Sequence, residues 1–201
     1  MLVCLPYHSD LPVDYNDLAK SIMRCGTNPN HTLALISLRS QDMGAFNLAT
    51  TLFDYFGRHI KVCIEDQPET QVMTSNRFFT AATKVLIGYK PSQGEVENAP
   101  MLYLDPTYRP QLPNWLDVLQ ADYFRCGAPK VFGNFRDGDP PVPIGPIFLS
   151  REWATTSPLA QFLPHDAHWR NYLSWELLKN SVKAAGIGPH QSAVLSPHFE
   201  I

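Results

Sequence analysis

Between Leu2 and Asp105, short apolar stretches of strand length alternate with longer amphipathic ones, and each apolar stretch runs into a polar segment. Leu2 to Pro6, Thr32 to Leu38, Ile60 to Glu65 and Pro100 to Leu104 read as strands. The stretches between them carry helical periodicity. One helix is capped by Asp14 or Asn16 and runs to about Arg24, where Gly26 stops it and residues 27–30 form a turn. A second runs from about Gly44 to Phe56 with Phe46, Leu48, Leu52, Phe53 and Phe56 inward. A third runs from Asn76 to about Tyr89 with Phe78, Phe79, Ala82, Val85 and Leu86 inward, after a polar loop over residues 66–74. Four strands alternating with helices predict an α/β domain with a mostly parallel central sheet and helices on both faces.

The second half is less regular. Eighteen prolines, concentrated after Pro91, favour turns and short extended pieces. Trp115 to Arg125 reads as an amphipathic helix. Lys130 to Phe135 and Val142 to Leu149 read as a hairpin through residues 136–141, which contain the sequence Asp137-Gly138-Asp139 as turn chemistry. Helices are expected near residues 151–162 and 166–186, followed by an irregular tail from Gly188. A chain of 201 residues with 44% apolar and 17% charged side chains suits one globular domain. No apolar run approaches the roughly 20 residues that span a bilayer. The opening Met1-Leu2-Val3-Cys4-Leu5-Pro6 lacks a basic region before an apolar stretch, so a cytoplasmic location is expected. A net charge of −3 gives no broad electrostatic grip on nucleic acid. Cys4, Cys25, Cys63 and Cys126 are widely spaced, without a C-x-x-C pair, and read as reduced, buried core thiols.

Ligands of open α/β sheets bind outside the carboxyl ends of the strands. The segments there are Tyr7 to Asp10 after the first strand, Arg39 to Asp42 after the second, and Asp105 to Arg109 after the fourth. These three charged segments should share one rim.

In order and spacing, residues 1–110 resemble the nucleotide-sugar half of GT-A glycosyltransferases, especially the large inverting family 2. The resemblance is carried by Leu5-Pro6-Tyr7-His8-Ser9 after strand one, by Ser37-Leu38-Arg39-Ser40-Gln41-Asp42 in place of a D-x-x-S-x-D pattern, by the Asn76-led helix, and by Asp105-Pro106-Thr107 where the family has D-x-D. Ser37 and Thr107 stand where the family has acids. The resemblance implies transfer of a sugar from a nucleotide sugar, a UDP-sugar foremost, to a hydroxyl. It implies donor contacts from Pro6, Tyr7, His8, Ser40, Asp42, Asn76, Asp105 and Arg109, and a divalent cation (Mn2+ or Mg2+) held by Asp105 with a late histidine, His198. It implies a catalytic base from Asp166 or Glu176, and an acceptor-binding half over residues 111–201. A narrower likeness is to small bacteriophage glycosyltransferases that decorate hydroxymethylated bases in phage DNA. The residues themselves leave plainer roles open. Asp105 can start an Asp-Pro turn, Asp166 can cap a helix, Glu176 can sit on a solvated helix face, and Arg109 can be a loop cation. His165 and His168, three apart, can share a helix face. The clustered aromatics Trp115, Trp153, Trp169 and Trp175 serve as core or as a stacking surface. Two other functions remain in view: a non-catalytic nucleotide-binding protein and a nucleotidyltransferase on a related sheet.

Overall fold

The computed structural model describes residues 1–9, 11–67, 70–91, 95–96, 98–136, 142–157, 168–171, 173 and 194–195, with the backbone alone at 134–136, 142–144 and 194–195. Strand β1 (Leu2–Tyr7) is almost wholly buried, as expected for the centre of a sheet covered on both faces. It pairs in parallel with β2 (Asn28–Leu38) and with β4 (Met101–Tyr103), and β2 pairs in parallel with β3 (Phe56–Ile64). The hairpin β6 (Val131–Arg136) and β7 (Val142–Leu149) extends the sheet beyond β4, with β7 antiparallel to both neighbours. The six-stranded order is β3-β2-β1-β4-β7-β6. A separate two-stranded ladder joins β5 (Arg109–Pro110) to β8 (Val194–Leu195), inside the stretch expected to be an irregular tail.

Chain direction explains where the helices go. From β1 to β3 the chain steps one way along the sheet, through α1 (Tyr15–Arg24) and α2 (Asp42–Thr51). After β3 it crosses back through α3 (Gln71–Gly88) to reach β4 on the far side of β1. Right-handed crossovers in opposite directions place their helices on opposite faces. Side chains alternate accordingly. Val3, Leu5, Leu33, Leu35, Leu102 and Leu104 pack with α1, α2 and α4 (Trp115–Arg125). Leu2, Cys4, Ala34, Ile36, Met101 and Tyr103 pack with α3, α5 (Arg151–Thr156), Trp169 and Leu173.

Local signals account for most boundaries. Asp14 caps α1 by accepting from the N–H groups of Asn16 and Asp17. Thr70 caps α3, so that helix starts at Gln71 inside the stretch expected to be loop. Strand β2 begins at Asn28, with a bulge before Thr32, where a turn was expected. The second helix stops at Thr51, and a short 3-10 turn, Phe53–Tyr55, leads into β3. The apolar face is also not the expected one: Ala45, Leu48 and Leu52 are buried, while Phe46 and Phe53, seven apart, are exposed. Phe46 lies under the Lys61 ammonium and Phe53 stacks on His59. All four thiols are free; Cys4 and Cys25 are buried as expected, whereas Cys63 and Cys126 are exposed. Among the described residues no helix is long and apolar enough to cross a membrane.

Candidate functional site at the carboxyl end of the sheet

In the order β3-β2-β1-β4 the chain reverses its direction of travel between β1 and β4, and the carboxyl ends of these strands flank the switch point. The turn after β4 is self-capped. Asp105 Oδ1 accepts from the Thr107 backbone N–H at 3.0 Å and from its hydroxyl at 2.6 Å. The Tyr108 N–H closes the turn onto the Asp105 carbonyl. Thr107, at the place of the second acid of D-x-D, thus shapes the turn that presents Asp105.

The other carboxylate oxygen meets a residue from much later in the chain. Arg170 Nη2 donates to Asp105 Oδ2 at 2.8 Å, and both its terminal nitrogens donate to the Gly145 carbonyl at 3.2 and 3.1 Å. Its guanidinium lies 4.4 Å over the Trp169 ring. The delivery of Arg170 has a visible cause. The Trp169 backbone N–H is held by Asn76 Oδ1 at 2.7 Å, and the Trp169 ring stacks on Phe79 at 4.3 Å and edges onto Tyr103 at 5.4 Å. Asn76 is buried in α3 and acts on the site through this backbone contact. Gly145 has φ +65°, and a Cβ there would fall 2.6 Å from the Tyr108 ring, so only glycine lets that carbonyl face Arg170 with Tyr108 packed behind it.

A cavity of about 460 Å³ opens at this point. Pro6 and His8 from the end of β1, Gln71, Val72 and Ser75 from the first turns of α3, and Asp105, Thr107, Trp169 and Arg170 form its walls. The size suits a small organic ligand. His168 also lines it, with Nε2 2.9 Å from Ser75 Oγ, while its Nδ1 accepts the Arg170 backbone N–H at 3.3 Å. Accepting at Nδ1 fixes the proton on Nε2, so His168 donates to Ser75 and cannot act as its base in this arrangement. Burial, reinforced by the Arg170 charge and opposed by Asp105, pulls the His168 pKa down to about 4.

The remaining residues named from the sequence are dispersed. Tyr7 faces away from this cavity, packs 4.6 Å from Tyr15, and meets Gly44 so closely that a Cβ there would lie 2.0 Å from its hydroxyl. With Ser9, Asp14 and Asn47 it lines a second cavity of about 480 Å³. His8 stands edge-on to Phe78. Ser40 donates to Asp66 through both its N–H and its hydroxyl in the turn after β2, and Asp42, at the start of α2, pairs with Lys61; neither lines this cavity. Arg109 is buried, with Nε on Asp17 Oδ2 at 2.9 Å and its terminal nitrogens on the carbonyls of Pro106, Tyr108 and Asp14. It is a strut tying the β4 loop to the start of α1. Asp166, Glu176 and His198, with His165, Trp175 and the Asp137–Asp139 turn, lie outside the described residues.

As arranged, the described donors do not fit a hard divalent cation. Such an ion takes several oxygen ligands, yet both Asp105 oxygens already accept hydrogen bonds and one faces a guanidinium. Among the described residues no three His, Cys, Asp or Glu side chains gather as a metal set. Sequence reasoning missed Arg170, Ser75 and Gln71. The tripeptide His168-Trp169-Arg170 sits in an amphipathic stretch, and no local pattern says that its cation meets an acid 65 positions before it in the chain.

No protein-family model matches the sequence, and no curated protein is found to be similar to it. Among solved structures the chain is similar to mouse xyloside xylosyltransferase 1 in its apo form, with a TM-score of 0.39, 11% identity, and coverage of 93% of this chain and 77% of that one.

Proposed function

We propose that the chain is a glycosyltransferase whose cavity between β1 and β4 holds the diphosphate and sugar of a nucleotide-sugar donor, a UDP-sugar first among the candidates. The observation that carries this reading is the position of the cavity, at the switch point between β1 and β4, with residues that follow both strands in its walls. Two features of the walls suit a diphosphate. The first turn of α3 faces the cavity and carries no acid to offset its partial positive charge. Arg170 brings a guanidinium to the same space. In this reading residues 1–110 form the donor half, and residues 111–201 form the acceptor half and return Trp169 and Arg170 to the donor. The acceptor is a hydroxyl group, for which the hydroxymethylated bases of phage DNA are the case the resemblance brings forward. A leaving diphosphate needs positive charge or N–H donors at its oxygens, and Arg170 and the start of α3 are the groups along this cavity that can supply them.

Thermal melting with a panel of nucleoside diphosphates and nucleotide sugars tests the proposal, since a ligand of the folded state raises Tm by mass action. One nucleotide class should raise Tm, and Val72→Trp, which fills the cavity from α3, should remove the shift. Release of nucleoside diphosphate in the presence of an acceptor should follow. Binding without any turnover would make the chain a non-catalytic nucleotide-binding protein, and no shift with any nucleotide would sink the reading.

A further inference from the structure

A carboxylate beside a diphosphate repels it, and enzymes with such a carboxylate offset it with a cation. Here the offset is built into the chain. Arg170 pairs with Asp105 at 2.8 Å, with side-chain exposures of 17% and 21%, so the pair is shielded from bulk water. The stacking on Trp169 and the two bonds to the Gly145 carbonyl fix the guanidinium plane. Among the described residues lining the cavity, Arg170 is the only lysine or arginine, and so the only permanent positive charge. We propose that Arg170, held by Asp105, serves in place of a divalent cation, so that this site binds nucleoside diphosphates without metal and Asp105 is a positioning residue for the guanidinium.

The assignment uses every contact around Asp105. A metal-binding carboxylate needs an oxygen open to the ion, whereas a positioning carboxylate is expected to be engaged at both oxygens, and Thr107 and Arg170 engage both oxygens of this one. Thr107 in place of a second acid follows from the same logic: one arginine balances one carboxylate, and a second acid would leave the pocket negative. Arginine also suits the task better than lysine, because its planar fork can face a carboxylate and phosphate oxygens together.

This inference rests on the reading of the cavity as a nucleotide site, and the experiment separates the two. UDP binding is measured by titration calorimetry in EDTA and again with manganese. GDP and ADP serve as further probes if UDP gives no heat. The wild type should bind equally, within about twofold, in both conditions. Arg170→Ala should weaken binding in EDTA by about tenfold or more, and Arg170→Lys by less. Adding Asp105→Asn to Arg170→Ala should recover part of the loss, because the uncompensated carboxylate is then gone. Urea unfolding of the same variants separates the two roles: in a purely structural role binding and stability fall and recover together, whereas here binding falls beyond what the stability change accounts for. If Arg170→Ala fails to fold, Arg170→Gln keeps a donor for Gly145, removes the charge, and carries the same test. Binding by the wild type only with manganese, or unchanged binding by the arginine variants, overturns the metal-free assignment while leaving the nucleotide site standing. No binding of any of the three diphosphates in either condition overturns both.

Discussion

The loops after β2 and β4 look alike in sequence, each a short polar run rich in charge, and the fold treats them differently. After β2 the pairs are superficial: Arg39 with Glu65 at 69% and 66% exposure, Lys61 with Asp42, and Ser40 with Asp66. After β4 both guanidiniums are enclosed, Arg170 on a shielded Asp105 and Arg109 on three carbonyls and on Asp17, whose carboxylate reaches in from the half-exposed start of α1. The cause is topological. Strand β2 lies toward the open edge of the sheet, whereas β4 lies between β1 and the β6–β7 hairpin, beneath the segment that carries Trp169. Exposed pairs are screened by water and count for little, while enclosed polar groups are costly to strand. The same residue types therefore decorate one loop and form enclosed contacts beside a cavity in the other.

The largest expected effect is on the strut. Arg109→Ala removes a buried guanidinium and strands the carbonyls of Pro106 and Asp14, so urea unfolding should show a loss of about 2–4 kcal/mol. Arg109→Lys should recover little, because one ammonium cannot replace a fork that spans the β4 loop and α1. A loss no larger than that of a surface substitution would erase the contrast between the loops.

A smaller effect should appear on acidification. His168 has a folded-state pKa of about 4 against an ordinary histidine value of 6.5, so the unfolded chain takes up its proton first as pH falls. The stability it preserves is present in full above about pH 6.5 and is lost progressively down to about pH 4. After allowing for its partial exposure, the loss is on the order of 2 kcal/mol. Urea titrations across that window should show a flatter acid limb for His168→Gln than for the wild type. Parallel limbs would mean that the histidine is solvated and the cavity wall open.

Much of this frame was legible in the sequence. The Asp14 cap, the helix from Trp115 to Arg125, the strand from Val142 to Leu149 and the inward Phe78 and Phe79 all follow from local rules that the fold obeys. The inward reading of Phe46 and Phe53 failed because Ala45, Leu48 and Leu52, at i, i+3 and i+7, make the buried face, and Phe46 and Phe53 each stand one residue, roughly 100°, round from it. The site was half legible. Pro6, His8 and Asp105 line the cavity because strand ends and topology bring them there. Arg170 was invisible because its role depends on Asn76 holding the Trp169 backbone, a contact between residues 93 apart that leaves no periodic trace.

The smallest expected effect lies in the β2 loop and sharpens the comparison from its weak side. Arg39 and Glu65 lose side-chain entropy to meet at 3.1 Å in water, and the gain is screened by salt. Arg39→Ala should therefore change stability by less than about 0.5 kcal/mol, and that little should fade as salt is raised. Its effect on nucleotide binding separates two pictures of the rim. If the β2 loop only closes the sheet edge, UDP affinity should stay within about twofold of wild type. If Ser40 and Asp42 reach the donor as the family pattern implies, loosening Arg39 and Glu65 beside them should weaken UDP binding although stability is untouched. Binding and unfolding measured on the same Arg39→Ala protein thus show whether the fold has one working loop at this rim or two.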